Sequence, residues 1–382
     1  MTSLRGRFAI IGAAETDRLG RIPDMTEVEL HAEAARRAIA DAGLVKEQID
    51  GLASGVVDVR TVADYLDLQP SYVDGTNIGG SSYMIQLSHA VAALHAGYCE
   101  YVLITHGESG RSRMSAAPWP DPAPDSIAGQ FERPYGLIGP PDTFTLPITA
   151  HMDRYGTTEE QLASVAVTAR QWAAKNPRAL RRDPLTVADV LASPIVAWPI
   201  HTLECCLLTD GGGAMVVTTA ERALDGPKPP VYVLGTGEGV ENHMISSMRD
   251  LTRSQSMELS TQRAYRLSGI GPADIDHLML YDAFAHTPLY GLEALGIVKP
   301  GESGPWFEAG RGAPDGDLPV NTNGGGLSYI HTGNYGMFAL LESIRQVRGE
   351  APAQIPGVEI SVVHGPAGFF AAAGTAVLSR HP

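Results

Sequence analysis

The feature that most constrains this chain is an order of elements that occurs twice. Residues 8–11 form a short buried-strand run, and a helix is predicted over 26–43, with Leu30, Ala34, Ala35 and Ile39 at helical spacing and Gly43 as its stop. A strand from Gly51, a glycine-rich loop at 77–82 and a helix carrying Met84, Leu87, Val91 and Leu94 up to Gly97 come next, then a buried strand at 101–105. The rhythm restarts near Val231. A strand, a long helix over 256–269, a strand at 278–281, another glycine-rich loop with its helix, and strands at 358–363 and 376–378 follow. Strand–helix–strand alternation favours a parallel, layered α/β sheet. The same order twice, without obvious sequence identity, points to a duplicated fold and not to a short-period repeat. The expected division is therefore residues 1–225 and 226–382. Residues 113–199 break the rhythm, rich in Pro, Asp and Trp before a helix over 158–176, and read as an insertion that covers a pocket and not as a separate domain.

Charge and cysteine content narrow the partners. A formal charge of −15 argues against nucleic acid and anionic lipid surfaces. Three cysteines, two of them adjacent, give no disulfide framework and suit a reducing cytoplasm. The basic N-terminus leads into a short strand with no cleavable small-residue site, and no apolar run reaches the roughly 18 residues a membrane span needs. No His-x-x-x-His or Cys-x-x-Cys pair suggests a metal, no Gly-rich loop is followed by Lys-Ser/Thr, and residues 106–110 lack Gly-x-Ser-x-Gly spacing. The 106–110 segment reads as structural.

Several spaced motifs carry a resemblance. They are Tyr155-Gly156-Thr157-Thr158-Glu159-Glu160-Gln161-Leu162, Asn176-Pro177-Arg178-Ala179, Asp183-Pro184-Leu185-Thr186, Val190-Leu191-Ala192-Ser193-Pro194, and Cys205-Cys206 ahead of Thr209-Asp210-Gly211. In this order the chain resembles the thiolase superfamily, in its sterol-carrier or lipid-transfer branch, over nearly its whole length. The resemblance implies a thiolase fold: two similar α/β halves in a five-layer α-β-α-β-α arrangement, a covering loop region, and a homodimer. Fold alone does not give function, which must come from the site.

Four loops converge on the pocket in that family. The nucleophile loop resembles Asn77 to Ser82, where Gly79 or Gly80 stands in place of the cysteine; with Ser81 it forms a helix N-terminus whose N–H groups suit a carbonyl or oxyanion, although two glycines there also make a plain tight turn. The second loop, Tyr281-Asp282-Ala283-Phe284-Ala285, resembles Asn-Glu-Ala-Phe-Ala, so that Tyr281 replaces an Asn that orients water and brings a phenol to the substrate beside Asp282. The third, Asn323 to Gly333, contains Gly325 and the rival phenol Tyr329. It aligns His331 with the histidine of the enolate oxyanion hole, flanked by Ile330 and Thr332 where the family has Gly and Pro; Tyr335 is a further nearby phenol. In the fourth, His364 and Gly365 match a histidine form of a loop that otherwise carries an acid/base cysteine. Cys205 and Cys206 lie in another block and read as small packing residues.

A serine needs an adjacent base to become a nucleophile, whereas a thiol is intrinsically nucleophilic. Loss of the cysteine therefore changes the reaction class. The pattern resembles thiolase-like aldolases of steroid side-chain degradation, which implies non-covalent retro-aldol cleavage of a β-hydroxyacyl-CoA. Coenzyme A would enter as part of the substrate, with no covalently bound cofactor and no metal, and a small OB-fold/zinc-ribbon protein is the expected partner. In this reading Tyr281 and His331 lead, Tyr329 and His364 are further acid/base candidates, and Gly79, Gly80, Ser81, Asp282, Gly325 and Gly365 shape the substrate site. Two other classes stay open: a non-catalytic lipid or acyl-CoA carrier, and a cysteine-independent acyltransferase using Ser81 or Ser82.

Overall fold

The computed structural model describes residues 4–113 and 122–382. The first residues of the basic N-terminus and residues 114–121 of the expected insertion lie outside the described residues. The strands are β1 Phe8–Glu15, β2 Gly51–Ser54, β3 Tyr72–Asp74, β4 Val102–Ser109, β5 Ile195–Ala197, β6 Ile200–His201, β7 Asp210–Thr219, β8 Val231–Val240, β9 His277–Leu280, β10 Ile360–Ala367 and β11 Ala372–Ser379. All but the small β5–β6 hairpin join one sheet in the order β3-β2-β4-β7-β1-β8-β11-β10-β9.

That order is mirrored about its centre. Outward from β1 the neighbours are β7, β4 and β2, paired antiparallel, antiparallel and parallel. Outward from β8 they are β11, β10 and β9 with the same three senses. The two sides meet where Phe8, Ala9 and Ile10 pair antiparallel with Val233, Tyr232 and Val231. The sheet is thus mixed, parallel only toward its ends. Helical crossovers dictate parallel pairing there, but β10 and β11 are consecutive and joined by a tight turn, which enforces the antiparallel sense. We propose the connection before β8 as the boundary between residues 1–225 and 226–382.

Helices fill both faces of this sheet. Thr26 starts the Glu27–Asp41 helix through a capping box with Glu29, and this helix packs on β1, β4 and β7. The Gln255–Ser268 helix covers β8 and β11 in the matching position. Between the half-sheets run Ser82–Ala96 and Gly336–Arg348, in contact with each other and each with strands of both sides. The helical spacing of apolar residues over 84–94 predicts one buried face, yet Ser82 through Leu87 are all buried, because this end of the helix lies between the two half-sheets; exposed residues begin only at Ala92. This sandwiching gives the five-layer arrangement. Gly97, in the left-handed region, ends the helix. Among the described residues no helix is long and apolar enough to cross a membrane.

Candidate active site

A cleft of about 470 Å³ opens where several elements end together. Its walls come from the end of β4 (Glu108, Ser109), the loop after β9 (Tyr281, Ala283, Phe284), residues 331–334, the end of β10 (Pro366 to Phe369), and Gly79 and Gly80 before the Ser82–Ala96 helix. Arg113, Pro140 and Phe144, from the 113–199 segment, also line it. Such convergence at strand ends is where α/β folds place ligands.

Tyr281 and His331 form the centre. The phenol oxygen lies 3.0 Å from His331 Nε2 and 3.1 Å from the Gly333 carbonyl, and the Tyr335 N–H approaches it at 3.4 Å. A carbonyl only accepts. All three contacts are hydrogen bonds when the phenol donates to Gly333 O and Nε2–H donates to the phenol, which places the imidazole proton on Nε2. His331 Nδ1 is buried without a partner. Burial drives the Tyr281 phenol far above its ordinary range and the His331 imidazole down to about 4, so both are neutral at physiological pH. Neutral hydrogen-bond donors in a dry site suit a developing oxyanion; neither group is a strong base there.

The two glycines of the nucleophile loop have different physical reasons. Gly79 sits at φ 99°, a region that side chains rarely adopt. Gly80 has no such constraint, but a Cβ on it would stand 2.2 Å from Tyr281 Cε2, 2.3 Å from Cζ and 2.6 Å from the phenol oxygen. The tyrosine ring fills the volume that a side chain at position 80 would need. Gly365 makes the same allowance on the other side, where a Cβ would lie 2.2 Å from Tyr281 Cβ. Tyrosine at 281 and glycine at 80 therefore form one coupled steric choice.

The other sequence candidates lie behind the cleft wall. Tyr329 is fully buried, and its hydroxyl donates to Glu15 at 2.6 Å, within a cluster completed by Arg178 at 2.8 Å and Arg345 at 3.1 Å. It does not line the cleft: its hydroxyl is held in that cluster, whereas His331 reaches Tyr281 and the cleft. His364 does not line it either. It lies two residues before Pro366 on β10, bonded through Nδ1 to Thr375 Oγ1 at 2.8 Å, and burial lowers its pKa to about 3. Tyr335 bonds to Asn323 Oδ1 at 2.9 Å and stacks on His331. Asp282 accepts from the Gly326 and Leu327 N–H groups at 2.6 and 3.3 Å, and a Cβ on Gly325 would meet its carboxylate at 2.0 Å. Asp282 and Gly325 thus lock the second loop to the third, with the Asp282 carboxyl pushed up to about 8 by burial. Ser81 Oγ donates to Gly365 O at 2.5 Å, and Ser82 Oγ donates to Gly79 O at 2.6 Å. Neither serine faces the cleft or has a base beside it, which leaves the acyltransferase route without an activated nucleophile.

Among the cleft residues that escaped the sequence reading, Cys206 and Glu108 matter most for the chemistry. Cys206 lines the cleft instead of serving only as packing, because residues 206–209 thread between the loops: Cys206 N–H donates to Ala283 O at 2.8 Å, Leu207 N–H to Gly326 O at 2.9 Å, and Thr209 N–H to His331 O at 3.1 Å. Its thiol is pushed well above the ordinary range by burial, so it is no thiolate nucleophile. Glu108, read as part of a structural loop, also faces the cleft; its place at the end of a buried strand was the available signal.

Comparison with known proteins agrees with this geometry. Residues 237–380 match the family model described as thiolase C-terminal domain-like. The chain is 34% identical to a steroid side-chain-cleaving aldolase of Thermomonospora curvata, over 94% of each chain. It is 30% identical to an acetyl-CoA acetyltransferase of Methanothermobacter thermautotrophicus, over 97% of this chain and 99% of the relative. With the 17-hydroxy-3-oxo-4-pregnene-20-carboxyl-CoA lyase of Mycobacterium tuberculosis it shares 32% identity, over 93% and 95%. The chain belongs to the thiolase superfamily. Within it, a solved structure named Ltp2-ChsH2(DUF35) aldolase superposes with a TM-score of 0.90 at 31% identity, covering 98% of both chains. The aldolases and the acetyltransferase are similarly close in sequence, so the site chemistry decides between them: a thiolase-superfamily chain whose nucleophile loop is filled by a tyrosine ring cannot form an acyl-cysteine there.

Proposed function

We propose that this protein is a carbon–carbon lyase that cleaves the Cα–Cβ bond of a β-hydroxyacyl-CoA by a non-covalent retro-aldol reaction. The observation that carries this is the Tyr281–His331 pair, 3.0 Å apart, with the Tyr281 ring occupying the space left by Gly80. As the bond breaks, its electron pair moves through Cα to the thioester oxygen. Tyr281 O–H and His331 Nε2–H, both neutral, can turn from Gly333 O and from the phenol to that enolate, and a positioned donor of this kind contributes about 3 kcal/mol in the transition state. The β-carbon leaves as a ketone or aldehyde, and protonation of Cα gives the shortened acyl-CoA. Coenzyme A is part of the substrate, and no step requires a bound cofactor.

Phe144, Phe284, Leu208 and Phe369 form an apolar wall suited to a bulky ring system. The names of the two lyase relatives support a steroid side chain as the acyl group. A homodimer, and a small OB-fold/zinc-ribbon partner that helps to hold the acyl-CoA, complete the reading; the DUF35 component named with the structural neighbour supports the latter. Three free cysteines suit a reducing, cytoplasmic setting.

The first probe is 17-hydroxy-3-oxo-4-pregnene-20-carboxyl-CoA, assayed with the partner protein by mass spectrometry. The expected result is release of a 17-ketone and a shortened acyl-CoA by the wild type, with at least a hundredfold lower rate for Tyr281→Phe. Saturable binding of this and other β-hydroxyacyl-CoAs without turnover would make the protein a carrier, and a trapped acyl group on Ser81 or Ser82 would make it an acyltransferase.

A further inference from the structure

A retro-aldol needs a base for the β-hydroxyl proton, and the central pair supplies none. Tyr281 would have to be ionised in a site that resists its ionisation, and His331 is far too weakly basic for pH 7. Among the described residues the cleft walls contain two carboxylates, Glu27 and Glu108. Glu27 belongs to the first turn of its helix, where its Oε1 accepts from Ser109 N–H at 3.3 Å. Glu108 lies deeper. Its Oε2 accepts from Asn334 N–H at 3.0 Å, which fixes the carboxylate, and a fifth of its side-chain surface remains open.

Glycine 333 ties this carboxylate to the central pair. A Cβ on Gly333 would meet the Glu108 carboxylate at 2.3–2.6 Å, while the Gly333 carbonyl accepts the Tyr281 phenol at 3.1 Å. One residue therefore touches the carboxylate on one side and the phenol on the other, and all three line the same cleft. A thioester oxygen at the Tyr281–His331 donors would leave its β-hydroxyl, two carbons away along the substrate, within the reach of a group on the neighbouring wall.

We propose that Glu108 is the general base of this protein: its carboxylate takes the β-hydroxyl proton as the Cα–Cβ bond breaks. The inference rests on the aldolase reading above. The oxygen that loses its proton becomes the product carbonyl, and the bond's electron pair becomes the enolate. Glu108, now protonated, returns the same proton to Cα, directly or through the Tyr281 phenol, so the cycle closes with no oxidant or further reactant. Burial has already raised the Glu108 carboxyl to about 8, the range in which a carboxylate is basic enough to be useful near neutral pH. The charged and titratable groups facing it are Glu27 from the neighbouring helix, His106 on its own strand, Tyr83 behind that histidine, Tyr281 and His331 across Gly333, and Arg113 at the mouth.

The test uses the full chain with its partner protein and the steroid CoA probe above. Glu108→Gln can still accept from Asn334 N–H, so the wall stays in place while the base is lost. The expected result is a kcat lower by about a hundredfold or more with KM changed only a few-fold. Wild-type kcat should rise with pH through about 8, and that rise should be missing from the residual activity of the variant. Because Asp282 is also raised to about 8, the variant's profile and not the wild type's is the deciding one. Formate or acetate should partly restore Glu108→Ala, an effect that a purely structural role would not produce. If the wild type cleaves the probe, Tyr281→Phe is dead, and Glu108→Gln keeps its kcat and pH profile, Glu108 is not the base although the protein is an aldolase. If the wild type binds but cleaves no β-hydroxyacyl-CoA, the aldolase reading fails and this role fails with it.

Discussion

Replacing Gly80 with alanine adds one methyl group to the cleft wall, and its consequence can be worked from distances. The new Cβ would lie 2.2 Å from Tyr281 Cε2 and 2.3 Å from Cζ, whereas ordinary carbon contacts begin near 3.4 Å, so that the ring must move by about 1 Å. It cannot retreat as a body, because Gly365 already brings the β10 backbone against Tyr281 Cβ. The remaining motion is a swing of the phenol away from His331 Nε2 and Gly333 O. Overpacking of this size costs about 1–3 kcal/mol of stability. Displacing the donor costs about 3 kcal/mol of transition-state stabilisation, or roughly a hundredfold in kcat. Urea denaturation and single-turnover cleavage of the steroid CoA probe measure the two losses separately. The control is Gly80→Ala with Tyr281→Ala, in which the methyl group has room. If the steric argument holds, the stability cost of the alanine largely vanishes in that background, giving a coupling of about 1–3 kcal/mol in the double-mutant cycle. Gly80→Ala with wild-type stability and kcat would refute the idea that glycine at 80 and tyrosine at 281 are one choice. The same reasoning predicts that Gly80→Cys alone does not restore thiolysis.

Four further outcomes follow from the structure. Tyr329→Phe should cost about 1–3 kcal/mol of stability by leaving the buried Glu15 carboxylate one donor short, yet keep most of the activity that Tyr281→Phe loses; equal loss of kcat in both would put Tyr329 back among the catalytic candidates. Cys99→Ala with Cys205→Ala should leave kcat unchanged, and Cys206→Ala should alter KM more than kcat, because its thiol lines the cleft but is protonated; a cysteine-directed reagent that stops turnover in a Cys206→Ala protein would contradict this. The neutral His364 ring makes native stability depend on acid. Unfolded, it protonates near 6.5; folded, only near 3. Its contribution is thus lost progressively as pH falls below 6.5, by about 1.4 kcal/mol per unit, and His364→Gln should gain roughly 2 kcal/mol relative to wild type between pH 7 and 5, read from urea midpoints. Light scattering at micromolar concentration should find a dimer, and a particle of single-chain mass, near the 40.5 kDa of the monomer, would count against it.

The sequence by itself determined the elements and their duplication. Local rules did most of this work: Thr26 and Glu29 form the capping box that starts the first helix, Gly97 ends the Ser82–Ala96 helix, and the apolar runs became the buried strands. It also supplied the missing cysteine and Tyr281 and His331 as cleft residues, since motif order places loops at strand ends. Side-chain direction within a loop was not legible. Tyr329 and His331 are two residues apart and both buried, yet one meets an ion cluster and the other the cleft. His364 and Pro366 differ only in depth along one strand, and that depth decides which reaches the cavity. The presence of Glu108 and Cys206 in the cleft, and the clash that couples Gly80 to Tyr281, arise between segments far apart in the chain, Glu108 and Asn334 by 226 residues. Such contacts are set by how two half-sheets close around a pair of helices. No local pattern encodes that closure, because each segment is satisfied in its own secondary structure whichever neighbour it meets.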